Sequence, residues 1–176
     1  DGRSFVLPLT PRKVFAKALD LYVAHSWKSR VIKQTIFVGI RLGLGRPLWR
    51  LLSMLQIASG NCGLSKSSDL IDHLSSVLGF TELNVAITLG TPGPHQKPTL
   101  QLMDNNGQIL GYAKIGWNDE TNKLLQNEVS VLKHLNESPP RFFRVPGVLY
   151  EGFWNGRFIG VQSAADNLKV VKRSRL

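Results

Sequence analysis

Two opposite charges stand where the surrounding pattern is apolar. Lys114 lies in the stretch GYAKIG, where a period of two places it on the same strand face as Leu110 and Tyr112. Glu128 lies on the apolar side of the following helical segment, three residues after Leu125. Because an unpaired buried charge is costly, we expect the two side chains to form an ion pair. A lysine held in this way stays extended and charged, and its ammonium can contact phosphate oxygens.

The elements that must position this pair follow from the periodicity. From residue 84 the apolar period changes from about 3.6 to about 2, which is typical of strands. The predicted strands cover residues 84–90, 99–104, 109–116, 145–154 and 157–164. Asn118 or Asp119 can cap a helix that runs to about Asn136. The sequence therefore predicts an α+β fold, in which a five-stranded antiparallel sheet carries one long helix.

The first 80 residues read as a helical N-terminal segment. Apolar residues recur at helical spacing in four short stretches, at about residues 10–25, 28–41, 47–57 and 68–78. We divide the chain into a helical extension (1–80), the α+β unit (81–165) and a basic tail (166–176). The extension is expected to form a helical cap over the back of the sheet.

Composition restricts the classes of partner and cofactor. The 176 residues carry a formal charge of +10, with the basic surplus near the N-terminus. This surplus is compatible with nucleic acid, an anionic membrane surface or the acidic face of a partner domain, and equally with a solvated basic surface. Cys62 is the single cysteine, so neither an internal disulfide nor a cysteine-based metal site is expected. Arginines and Pro47 interrupt the apolar stretch 36–58, so we expect no membrane span there. The start of the chain lacks a secretory pattern, and we expect a cytoplasmic location.

The predicted elements follow one another as three strands, one helix and two strands, with Lys114 in the third strand and Glu128 in the helix. This order resembles the small lobe of the protein-kinase-like fold. The spacing of GYAKIG and LLQNEVSVLKHL is most similar to aminoglycoside phosphotransferases and related small-molecule kinases. The resemblance covers about residues 84–165. It implies that the predicted helix corresponds to the αC helix of that fold, and that ATP is the cofactor.

The resemblance also implies roles for individual residues. Lys114 would contact the α- and β-phosphates of ATP, and Glu128 would orient Lys114. The stretch LGTPGP would be the phosphate-covering loop, with Gly90, Thr91 and Gly93 as binding residues, and His95 and Lys97 could also line it. The stretch 161–165 would be the hinge that holds adenine, with Gln162 and Ala164 as its binding residues.

The sequence departs from the family pattern in two respects. The loop reads G-T-P-G-P instead of G-x-G-x-x-G, and its two prolines lack backbone donors for phosphate. The catalytic aspartate and the magnesium-binding Asn and Asp belong to a large lobe, and no matching motif follows Ala165. We therefore assign no catalytic and no metal-binding residue, and expect magnesium and phosphoryl transfer only if a large lobe is supplied.

Three alternatives remain open from the sequence. The first is a non-catalytic protein-interaction module on a kinase-like lobe, which pairs with a missing C-terminal lobe or with a second copy. Its apolar surface would include Phe153, Trp154, Phe158 and Ile159. The second is an α+β domain with a surface lysine and glutamate. The third is binding of nucleic acid or a membrane surface by the basic N-terminal segment, which the helical spacing of its aromatic residues disfavours.

Overall fold

The computed structural model describes residues 5–8, 11–18, 34, 38, 65–89, 93–139 and 144–164. Within these ranges the predicted α+β architecture is confirmed. The helices predicted at 28–41 and 47–57 and the basic tail lie outside the described residues, apart from two single helical positions at 34 and 38.

An antiparallel sheet forms the centre of the fold. Its strands are β1 (Phe5–Val6), β2 (Asn84–Thr88), β3 (Thr99–Met103), β4 (Ile109–Ile115), β5 (Val148–Trp154) and β6 (Arg157–Ser163). The strand order is β1-β2-β3-β4-β6-β5. The five predicted strands are therefore all present. The two-residue strand β1 was not predicted, and it pairs with β2 at the sheet edge.

A β-bulge changes one predicted face. Leu102 pairs with Gly111 and Met103 pairs with Ile109, so the register skips Leu110. As a result, Leu110 packs with the cluster that contains Ala113, and Ile109 packs with Met103. The prediction that Leu110 shares the face of Lys114 was wrong, because the alternation of side chains resets at the bulge.

Helices cover both faces of the sheet. The structure describes three helices: α1 (Arg12–Ala18), α2 (Ser65–Leu78) and α3 (Asp119–Glu137). Leu74 of α2 is fully buried with Leu100 and Ala113 on one face. On the other face, α1 packs on Met103 through Val14, and α3 contributes its own buried cluster. Of the helical extension, α2 covers the face opposite α3, as expected for a cap, whereas α1 packs on the same face as α3.

The long helix α3 begins where the sequence predicts. Asn118 is its N-cap, and the Asn118 side chain accepts a hydrogen bond of 2.8 Å from the backbone N–H of Thr121. The Thr121 hydroxyl in turn accepts the backbone N–H of Asn118, also at 2.8 Å, which completes a reciprocal cap. This cap fixes where the helix starts, and therefore which of its residues face the sheet.

Candidate functional site

The backbone brings Lys114 and the middle of α3 together. Lys114 pairs across the sheet with Thr99 on β3 and with Gly160 on β6, so it occupies an interior strand. A Cβ atom at Gly160 would lie only 2.6 Å from the Cγ2 atom of Val129. Because Gly160 has no side chain, α3 can lie directly against this face of the sheet. Glu128 is the neighbour of Val129 in sequence and lies beside Lys114.

The predicted ion pair is present. The Lys114 ammonium donates a hydrogen bond to the Oε1 atom of Glu128. The Lys114 and Glu128 side chains are 27% and 30% exposed, so the pair is half-buried and opens to solvent on one side. Screening of the charges by salt is weaker here than between fully exposed groups. The contact holds the Lys114 ammonium against α3, and an ammonium has two further N–H donors with which it can bind an anion.

A second lysine shares the same carboxylate. The Nζ atom of Lys97 lies 3.2 Å from the Oε2 atom of Glu128, and its side chain is 26% exposed. Sequence reasoning considered Lys97 only as a lining residue of the phosphate-covering loop. Lys97 lies in the connecting segment just before β3, so no strand alternation pointed to this contact. Glu128 therefore lies between two ammonium groups.

The electrostatics of Glu128 follow from these contacts. Burial by itself would raise the pKa of Glu128, since a buried carboxylate loses hydration. Hydrogen bonds and charge from Lys114, and then from Lys97, outweigh this effect and lower the pKa below its ordinary value of 4.5. Glu128 is thus a carboxylate at neutral pH, and the three side chains carry a net charge of plus one.

The two lysines border an open cleft of about 380 Å³. The segment between β2 and β3 forms most of its wall, together with Thr99 and Lys114. Within this segment the Gln96 side chain donates a hydrogen bond of 2.6 Å to the backbone oxygen of Leu89. The Gln96 backbone N–H donates to the oxygen of Gly93 at 3.1 Å. These contacts hold the segment over the cleft, and the cleft is large enough for a phosphate chain.

The other predicted binding residues lie in different places relative to the cleft. Gly93 lines the cleft with Lys114. Gln162 pairs with Tyr112 on β4 and lies two residues beyond Gly160, which places it on the sheet face of Lys114. Ala164 follows the end of β6 and is half-buried. The predicted positions 90 and 91 lie outside the described residues.

The predicted apolar surface is largely buried. Phe158 and Ile159 belong to the core, and Trp154 packs against the cluster under α2. The expectation of exposure was wrong for Phe158 and Ile159, because α3 and α2 cover the two faces of the β5–β6 hairpin, and Trp154 is partly buried. Phe153 is 57% exposed, as predicted. Its ring contacts Phe158 edge to face, with ring centres 5.3 Å apart.

Comparison with protein-family models, with curated proteins and with solved structures found no match to this chain. Among the residues that the structure describes, no helix has both the length and the apolar character needed to span a membrane. The same residues contain no group of three or more histidine, cysteine, aspartate or glutamate side chains that could hold a metal ion.

Proposed function

We propose that this chain carries the ATP-binding small lobe of a kinase-like phosphotransferase whose acceptor is a small molecule, such as a sugar or a glycan-related hydroxyl. The observation that carries the proposal is the half-buried ion pair of Lys114 and Glu128 beside an open, positively charged cleft. A lysine fixed by a carboxylate at the mouth of a β-hairpin is the arrangement that holds nucleotide phosphates in kinases.

The order of the elements supports the same proposal. The run β2-β3-β4-β6-β5 with α3 on one face has the connectivity of a kinase small lobe. Phosphates would lie in the cleft against Lys114, beneath the segment that holds Gly93. Adenine would lie towards the end of β6, near Gln162 and Ala164. Magnesium would come with ATP, since its bound form is coordinated largely by phosphate oxygens.

The proposal assigns binding to this chain, and leaves the chemical step to a large lobe. Glu128 keeps Lys114 extended, and Lys114 neutralises charge on the α- and β-phosphates. A cytoplasmic location belongs to the same proposal, because ATP-dependent transfer to a small metabolite needs the ATP pool of the cell.

Replacing Lys114 tests the proposal. With saturating Mg-ATP we expect the unfolding temperature of the wild type to rise, because a ligand at about 100 times its Kd stabilises by about 2.7 kcal/mol. For a domain of this size the rise is about 5 °C or more. Lys114→Ala should abolish this rise, as measured by a thermal-shift titration.

Lys133→Ala is the matched control for this titration. It also removes a lysine that pairs with a carboxylate, that of Glu151, at the far end of α3. The control should respond to Mg-ATP as the wild type does. If Lys114→Ala and wild type show equal responses, Lys114 does not bind the nucleotide and the proposed function is wrong.

A second candidate function is a non-catalytic protein-interaction module. Large apolar side chains are exposed on β5 and on α3, namely Leu149, Phe153 and Val131. Such residues at an edge strand favour association. Light scattering over a range of protein concentrations distinguishes the two candidates. An oligomer whose size does not respond to nucleotide favours the interaction module.

A further inference from the structure

The cleft contains more positive charge than an ATP-contacting lysine alone would give. Lys97 and Lys114 reach Glu128 from two different chain segments, and both side chains line the cleft. One carboxylate compensates only one of the two ammonium groups. The other positive charge faces the same open space, where it can be neutralised by an anionic ligand.

We propose that Lys97 is a second phosphate-contacting residue, and that the cleft takes a ligand with at least two adjacent phosphate groups. The resemblance to small-molecule kinases assigns no role to this lysine beyond lining the loop. The inference deepens the proposed function. It rests on that function for one point, namely that the ligand includes a nucleoside. It adds a second lysine to the phosphate contacts that the proposed function gives to Lys114 alone.

The geometry supports simultaneous contact by both lysines. Each ammonium has three donors, and the hydrogen bond to Glu128 uses one donor on each lysine. Because the two nitrogens contact opposite oxygens of one carboxylate, they are close enough for neighbouring phosphates of one chain to reach both. Their partial burial weakens screening, so each contact should be stronger than that of an exposed lysine.

The shared carboxylate also sets the positions of both ammonium groups before a ligand arrives. Lysine side chains lose considerable rotamer freedom when they are fixed. Glu128 restricts both lysines in the unliganded protein, so less entropy is lost when the phosphates bind. Lys97 is carried by the β2–β3 segment and Glu128 by α3, so the same contact fixes the wall of the cleft against the helix.

A purely structural role for Lys97 makes a different prediction. If Lys97 only holds the β2–β3 segment to α3, its removal lowers stability and alters the binding of every ligand of the cleft by a similar factor. If it contacts phosphate, its removal weakens only ligands with adjacent phosphates. The comparison of ligands with one and several phosphates therefore separates the two roles.

Isothermal titration calorimetry on the full chain tests the proposal with adenosine, AMP, ATP and tripolyphosphate. We expect Lys97→Met to weaken ATP and tripolyphosphate roughly 10- to 100-fold and to leave adenosine and AMP within about twofold. Lys97→Arg should retain most of the affinity, because it keeps the charge. Lys133→Ala removes one positive charge elsewhere, and should bind all four ligands as the wild type does.

Each outcome bears on the proposal. Wild-type affinity of Lys97→Met for ATP and tripolyphosphate overturns it, as does an equal loss for adenosine and ATP. If Lys97→Met unfolds, Lys97→Gln is measured in its place. A third outcome is that tripolyphosphate binds through both lysines and that ATP binds the wild type no more tightly than tripolyphosphate does. This outcome supports the two-lysine site and contradicts the proposed nucleotide function. If Lys114→Ala loses its affinity for ATP and Lys97→Met retains it, this inference is wrong and the proposed function stands.

Discussion

Glu128 is the residue on which the site depends, because it contacts both cationic side chains. Removing a carboxylate from between two lysines leaves two ammonium groups close together and without their shared partner. Their mutual repulsion adds to the loss of the two hydrogen bonds. The position therefore affects stability and binding at once.

A pH series tests the electrostatic role of Glu128. Since its pKa in the folded protein is lowered below 4.5, the carboxylate contributes its full stabilisation above about pH 4.5. The contribution decreases as the pH falls through the lower pKa of the folded state. We expect Glu128→Gln to reduce the free energy of unfolding at pH 7 by about 1–2 kcal/mol, and the difference from wild type to vanish at low pH. Urea denaturation at each pH measures it.

Glu151→Gln is the control for the pH series. Glu151 pairs with the single lysine Lys133 and is more exposed than Glu128, so its removal should cost less than about 1 kcal/mol. A difference between wild type and Glu128→Gln that stays constant from pH 7 to pH 3 would show that charge does not cause the effect.

The sequence predicted the pair of Lys114 and Glu128 but not the contact of Lys97 with Glu128. The first two stand at apolar positions of regular elements, and a misplaced charge is visible in a periodic pattern. Lys97 belongs to a connecting segment that has no period, and 31 residues separate it from its partner. Only the path of the β2–β3 segment over α3 brings them together, and local pattern carries no information on that path.

At the scale of elements, long periodic segments were predictable and short ones were not. The helix α3 was expected to end near Asn136 and is observed at Asp119–Glu137. Five strands agree with the alternation of apolar residues. A two-residue strand such as β1 is too short to show a period. The bulge beside Leu110 was also missed, because an extra residue in one strand is defined by its partner strand.

The closeness of α3 to β6 gives a prediction at this scale. Gly160→Ala would place a Cβ atom 2.6 Å from the Cγ2 atom of Val129, which is a stiff β-branched side chain. We expect the variant to lose about 1–3 kcal/mol of stability and to bind ATP more weakly, because α3 and Glu128 are displaced from Lys114. Chemical denaturation and calorimetry measure the two effects.

Two further variants check the cause of this effect. Adding Val129→Ala to Gly160→Ala removes the clash, so the double variant should be less destabilised than the sum of the single variants. Gly147→Ala, where the nearest atom would lie 3.7 Å away, should be close to neutral. If the double variant is simply additive, the contact between Gly160 and Val129 does not control the helix position.

At the scale of the whole molecule, the described residues form three layers, with the sheet between helices on its two faces. The helices on the two faces differ in what they contribute. The helix α2 covers one face of the sheet through Leu74 and its neighbours. The opposite face carries Lys114 and α3 with Glu128. The site and the cap therefore lie on opposite sides of the same strands, so stability and ligand binding can be altered separately.

Leu74→Ala tests this separation between the cap and the site. Leu74 is fully buried against β3, β4 and β6, so truncation should reduce the free energy of unfolding by about 2–5 kcal/mol in urea denaturation. The affinity of the folded variant for ATP should stay within about twofold of wild type, because the cavity opens on the face away from Lys114. Val77→Ala on the same helix, at a more exposed position, should cost well under 1 kcal/mol. A loss of ATP affinity in Leu74→Ala under conditions in which it remains folded would mean that α2 supports the site through the sheet.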